Sequence, residues 1–194
     1  MNSRARHPYL ESRFEHQLEM VRPSRDRVEM SALPAGYALR HFREEDERAY
    51  EELFALGWTD KGTLAHTRRY ALPAGFVVIE HSASRLLVAS CVAFSPESPE
   101  RHPDDGSLGW LVTDPAHGRR GLATAAAATV TNRLVDEGYA RPWLGTEDDR
   151  LAALDIYLNL GWRPYLYATD MESRWRAILA RLGRAFSLES CVRT

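Results

Sequence analysis

At 194 residues, with 44% apolar and 27% charged side chains, the chain is long enough to bury one proper core and has the composition of an ordinary globular domain. A formal net charge of −2 gives no ground for a nucleic-acid surface, and the only two cysteines, Cys91 and Cys191, build no metal or disulfide pattern. No apolar run is long enough to span a bilayer and the amino end has no signal-peptide core, so the expected setting is a reducing cytoplasm, with no membrane or nucleic-acid partner and no metal.

Residues 1–34 are polar and arginine-rich and read as a leader outside the domain. Tyr9, Leu10, Phe14, Leu18 and Met20 recur roughly as one helical face, so a short docking helix and a disordered leader are the two expectations. Pro34-Ala35-Gly36 marks the entry to a domain expected over residues 35–194. Residues 37–42 alternate like a strand. Arg43-Glu44-Glu45-Asp46 then opens a helix in acid, with Ala49, Leu53, Phe54 and Leu56 on its apolar face. A second short helix is expected within residues 59–71. Residues 75–81 and 85–94 read as a hairpin around Ser82-Ala83-Ser84. Residues 96–105, rich in proline, serine and acid, read as an exposed loop.

The next stretch organises the chain. Leu108 to Thr113 reads as a buried strand that Asp114-Pro115 must stop, because proline lacks the ladder N–H. Gly118, Arg119, Arg120 and Gly121 follow, and then an alanine-rich helix to about Gly138 with Leu122, Ala126, Val130 and Leu134 as its stripe. Strand, small-residue turn and helix start aim free N–H groups at one point, where the helix dipole and two arginines favour an anion such as a phosphate. Neither Gly-x-x-x-x-Gly-Lys-Ser/Thr nor Gly-x-Gly-x-x-Gly occurs here, and an ordinary strand–turn–helix stays open as the rival reading. Further on, Trp143 to Thr146 is a strand, and Glu147-Asp148-Asp149 is expected to cap a helix. On that helix Leu151, Leu154 and Leu158 form the core face, while Arg150, Ala153 and Tyr157 share another. Residues 164–167 return as a strand, and Trp175, Ile178, Leu179 and Leu182 mark a last amphipathic helix.

Thr113-Asp114-Pro115 with Arg119-Arg120-Gly121-Leu122-Ala123 resembles the acyl-CoA motif of the GNAT superfamily of N-acetyltransferases. Residues 149–164 resemble its second signature, with Ala153, Tyr157, Gly161 and Trp162 at matching spacing, and their wording is similar to one bacterial branch of the superfamily. Two positions depart from the pattern. Gly118 stands where arginine or glutamine is usual, and Arg150 where asparagine is usual. The resemblance covers about residues 36–166. It implies a mixed α/β fold: a mostly antiparallel central sheet with helices on both faces and parallel pairing at a strand splay near the CoA site.

The resemblance also implies acetyl-CoA as co-substrate and direct acetyl transfer, in a ternary complex, to a primary amine of a small molecule or peptide. The pyrophosphate would lie on Gly118, Arg119, Arg120, Gly121, Leu122, Ala123 and Thr124, the pantetheine arm along Leu111, Val112 and Thr113, and Arg150 would contact phosphate or pantetheine unless it pairs with Asp148 or Asp149. Tyr157 would protonate the departing thiolate; its rival role is a core tyrosine. Trp58, His66, Arg68, Arg69 and Tyr70 are acceptor-side candidates, Glu147 and Glu80 conceivable bases, and His117 is expected to pack against the helix start. A non-catalytic acyl-CoA-binding sensor or interaction domain of the same fold is the alternative function, and a homodimer is compatible with either.

Overall fold

The computed structural model describes residues 15–58, 63–98 and 100–193. Within them β1 (Leu18–Val21), β2 (Tyr37–His41), β3 (Ala71–His81), β4 (Leu87–Phe94), β5 (Ser107–Thr113), β6 (Trp143–Thr146), β7 (Arg163–Leu166) and β8 (Val192–Arg193) form one sheet, in the order β2-β3-β4-β5-β6-β1-β7-β8. Pairing is antiparallel except between β5 and β6 and between β7 and β8. The mostly antiparallel sheet therefore has, as expected, a parallel pairing near its middle, beyond which β1 restores antiparallel pairing.

Alternation on β3 explains why helices cover both faces. Val77 and Ile79 enter one core with α3 (Leu122–Asp136), α4 (Leu151–Asn159) and α5 (Met171–Arg181); Phe76 and Val78 enter another with α1 (Glu47–Phe54) and α2 (Thr63–Tyr70). Ala125 to Ala128 are all buried, so α3 lies close on the sheet with no bulky side chain between them. Among the described residues no helix is long and apolar enough to cross a membrane, and no cluster is arranged for a metal ion.

The amino-terminal segment departs from expectation. Leu18 and Met20 belong not to a helix but to β1, which is inserted between β6 and β7 and bonded to both. The domain thus begins before residue 35. Leu18-Glu19-Met20 alternates, and a two-residue period sends Leu18 and Met20 into the main core while Glu19 faces the other way. Burying Leu18, Met20 and Val21 contributes roughly 5–9 kcal/mol, which a leader outside the sheet would forgo. Tyr9, Leu10 and Phe14 lie outside the described residues.

The loop over residues 96–105 is also less exposed than its composition predicts. His102 is fully buried, stacks on Trp143 with ring centroids 4.7 Å apart, and bonds Glu19 through Nε2 at 2.9 Å. Arg101 completes the pairing of Glu19, so the loop folds over the charge that β1 carries. The acidic cap expected for α4 is likewise redirected: Asp148 accepts from Arg174 at 2.6 and 3.1 Å, and Arg150 occupies the cap position. β8 had no counterpart in the sequence reading.

Candidate active site

β5 leads into a tight turn. The Asp114 carboxylate accepts from the Ala116 N–H at 2.8 Å, and the Gly118 N–H donates to the Pro115 carbonyl at 3.1 Å. Gly118 therefore has no N–H to offer an anion, which corrects its expected role. Arg119 (φ 57°) and Gly121 (φ 76°) are both left-handed, and between them the chain swings into α3. Ala125 donates the first bond of α3 registered at its amino end, to the Gly121 carbonyl at 2.9 Å. The N–H groups of Leu122, Ala123 and Thr124 precede it at the positive end of the helix dipole. A Cβ on Gly121 would meet nothing within 4 Å, so conformation rather than crowding calls for glycine there. The Leu122 side chain is buried in the core and leaves only its backbone for a ligand, whereas Arg119 and Arg120 are exposed. His117 Nδ1 lies 2.9 Å from the Tyr37 hydroxyl and its ring centroid 4.9 Å from that of His81, so the ring is held toward β2 and the end of β3.

On its other side β5 opens a cleft. It pairs with β6 only at Ser107↔Trp143, after which the two parallel strands diverge. A bulge sharpens the opening, because Ser90 pairs with Val112 but Val92 with Gly109, leaving Trp110 and Leu111 opposite Cys91. Trp110 has φ 52°, a strained conformation for so large a residue, held by ring contacts to Trp58 (5.2 Å) and Phe54 (5.3 Å). Leu111 lines the cleft, while Val112 turns to the opposite core. The Thr113 hydroxyl is buried without a hydrogen-bond partner among the described residues, just where the strand meets the turn. A buried orphan hydroxyl between an open sheet edge and a turn at a helix amino terminus suits a ligand that threads the cleft with polar groups of its own.

The cleft has a volume of about 90 Å³ and is narrow. Arg150, Ala153 and Tyr157 of the α4 region all face it, as their spacing predicts. Tyr157 is buried, and that burial pushes its phenol well above the ordinary value, with the Arg150 charge pulling the other way. The hydroxyl therefore keeps its proton throughout the physiological range and can act as a donor. Arg150 pairs with neither Asp148 nor Asp149. Its guanidinium stacks on Trp58, 3.7 Å from the ring centre, and donates to the Gly57 carbonyl at 3.3 Å, tying α4 to the segment after α1. Gly145 on β6 lets the Gln17 amide lie against the strand, since a Cβ there would approach its nitrogen to 2.5 Å.

Among the acceptor-side candidates, Trp58 and His66 line the cleft. Arg68 instead pairs with Glu47, Arg69 lies over the Tyr70 ring, and the Tyr70 carbonyl accepts from Ser95; none of the three lines it. Glu80 is buried between Arg40 and Arg85 beside β2, far along the sheet, and is excluded as a base. Glu147 is held above the usual carboxylate range by burial and by the Asp148 charge, but it too is absent from the cleft lining. Two residues that sequence reasoning missed do line it. Glu97 bonds His66 Nε2 at 2.7 Å through Oε2 and accepts from the Ser107 hydroxyl at 2.8 Å through Oε1. No spacing signals this trio, because its members come from a helix, a loop and a strand that meet only in the fold.

Similarities to known proteins agree with this architecture. Residues 36–162 match the family described as the acetyltransferase (GNAT) family. Among solved structures, a GCN5-related N-acetyltransferase from Sphaerobacter thermophilus superposes with a TM-score of 0.59 at 20% identity, covering 76% of this chain and 47% of the other. One from Ralstonia eutropha gives 0.50 at 21%, covering 70% and 96%. Glucosamine-6-phosphate N-acetyltransferase from Arabidopsis thaliana gives 0.51 at 14%, covering 61% and 88%. The chain spans about half of several larger structures it resembles. No curated protein matches it. The family match, which takes in β2 through α4 and both ends of the cleft, shows that this chain belongs to the GNAT acetyltransferase family.

Proposed function

We propose that the chain is an acetyl-CoA-dependent N-acetyltransferase that passes the acetyl group directly to a primary amine with both substrates bound. The observation that carries this reading is the wedge beyond Ser107↔Trp143: a strand edge opened by a bulge, running at one end into an anion-binding turn and floored by a buried tyrosine that holds its proton. The N–H groups of Leu122, Ala123 and Thr124 receive the pyrophosphate, with the exposed charges of Arg119 and Arg120 beside it. The pantetheine arm follows Leu111 and Thr113, whose hydroxyl gains a partner. Val112 contributes backbone only. A backbone N–H of β5 beside the cleft polarises the thioester carbonyl. Tyr157 donates its proton to sulfur as the C–S bond breaks and is reprotonated by water. Arg150, fixed on Trp58, adds positive charge where negative charge develops.

Incubation with acetyl-CoA and a panel of amines, followed by free-thiol release and the acetyl mass increment on the acceptor, tests the proposal. Thiol release matched by acetylated amine supports it. Tight acetyl-CoA binding with no transfer to any amine would leave an acyl-CoA-binding module.

A further inference from the structure

The Ser107–Glu97–His66 cluster lies at the closed end of the cleft, where β5 and β6 still pair and opposite the end that leads to the phosphate-binding turn. The side chains of Glu97 and His66 are only 11% and 18% exposed, yet both face the cavity. Each carboxylate oxygen is held by one partner and keeps a second lone-pair direction for a substrate N–H. Aromatic rings surround the cluster: Phe94 lies 5.7 Å from the His66 ring and Trp143 pairs with Ser107, while Trp58 and Trp110 line the same cavity. Arg150 brings its charge at the far end, past the point where the strands diverge, and has no carboxylate within ion-pair distance among the described residues. A cationic amine entering such a slot is repelled at one end and attracted at the other, while flat apolar surfaces favour a flat apolar body.

Resting on the acetyltransferase reading, we infer that Glu97, held between His66 and Ser107, receives the acceptor nitrogen and takes its proton, and that the acceptor is a primary amine carried on a flat apolar body of about aromatic size. The ammonium that enters first loses one proton to water, and the nitrogen lone pair so freed forms the C–N bond to the thioester carbonyl carbon while the C=O pair moves onto oxygen. The nitrogen then gives a proton to the Glu97–His66 pair. When the oxygen pair re-forms C=O, the C–S bond breaks and sulfur takes the Tyr157 proton. Water returns one proton to Tyr157 and removes one from the pair, so thioester plus amine becomes thiol plus amide.

The test measures CoA release from acetyl-CoA with phenethylamine, tryptamine, spermidine and glucosamine 6-phosphate, on the wild type and on Glu97→Gln, which keeps the shape and the Ser107 bond. The two aryl amines are expected to exceed the other two by at least about tenfold in kcat/KM. Glu97→Gln is expected to lower kcat/KM on them by about 10²–10⁴-fold with unchanged acetyl-CoA affinity. A preference for spermidine or the sugar phosphate, or unchanged turnover in Glu97→Gln, overturns the inference. So does acetyl-CoA binding with no turnover on any of the four, which leaves the parent reading standing; failure to bind acetyl-CoA at all sinks the parent reading instead. Should Glu97→Gln not fold, Glu97→Asp retains the charge but withdraws it from the nitrogen, and undiminished turnover in that variant equally overturns the assignment.

Discussion

Gly121 offers a test in which strain and binding separate. Its φ of 76° lies in the left-handed region, and a Cβ there would enter open space. Gly121→Ala therefore introduces no clash and costs only the conformational penalty of an L-residue with positive φ, about 1–2 kcal/mol. In the free protein the turn relaxes part of that penalty by tilting away from αL. A phosphate that needs the N–H groups aligned restores the strained shape, so the penalty reappears in binding. At 1.4 kcal/mol per factor of ten, acetyl-CoA affinity is expected to fall by up to about 5–30-fold by calorimetry, the unrelaxed remainder showing as a Tm loss of a few degrees at most. Gly118→Ala is the control. At φ −62° it is unstrained, its Cβ meets only the Pro115 carbonyl oxygen at 3.2 Å, and its N–H is already engaged, so its effect should be several-fold smaller. Equal losses at both positions, or unchanged affinity in a folded Gly121→Ala protein, would refute the argument that the turn presents its backbone to phosphate.

Arg119 and Arg120 are exposed, so alanine at either should weaken acetyl-CoA binding only modestly and mainly at low ionic strength, as titrations at two salt concentrations would show. Glu19→Ala removes the buried partner of Arg101 and His102 and is expected to cost about 3–5 kcal/mol in urea unfolding; a loss under 1 kcal/mol would mean that β1 is peripheral. The raised Glu147 carboxyl favours the folded state while protonated, and that contribution fades as pH climbs from the ordinary carboxylate range through the higher folded value. Glu147→Gln should therefore raise Tm at pH 7.5 and lose that advantage on acidification; a constant difference would contradict the burial of its charge.

The helices and both signature stretches were legible because their signals are local: apolar period, proline and glycine stops, and fixed motif spacing; the parallel pairing near the middle of the sheet came only with the family resemblance that those stretches carry. Arg150, Ala153 and Tyr157 share the cleft because a helix makes 3- and 4-residue neighbours coincide. β1 was not legible, since four residues carry too little period to outweigh an arginine-rich context, and its place depends on two strands more than 120 positions away. Glu97 was hidden for a related reason. Its loop reads as solvent-exposed, and only the meeting of α2 with the start of β5 turns its carboxylate inward. The acidic run at Glu147 to Asp149 misled because Arg174, from a later helix, claims Asp148.

Tyr157→Phe bears most directly on the central claim that the β5–β6 wedge performs acetyl transfer. The substitution keeps the ring against Trp162 and deletes only the hydroxyl. With an acceptor that supports turnover in the wild type, kcat is expected to fall about 10²–10⁴-fold while acetyl-CoA affinity and Tm stay near wild-type values. Undiminished kcat with a lowered Tm would contradict the account, for it would make Tyr157 a core residue and leave the wedge without its proton donor.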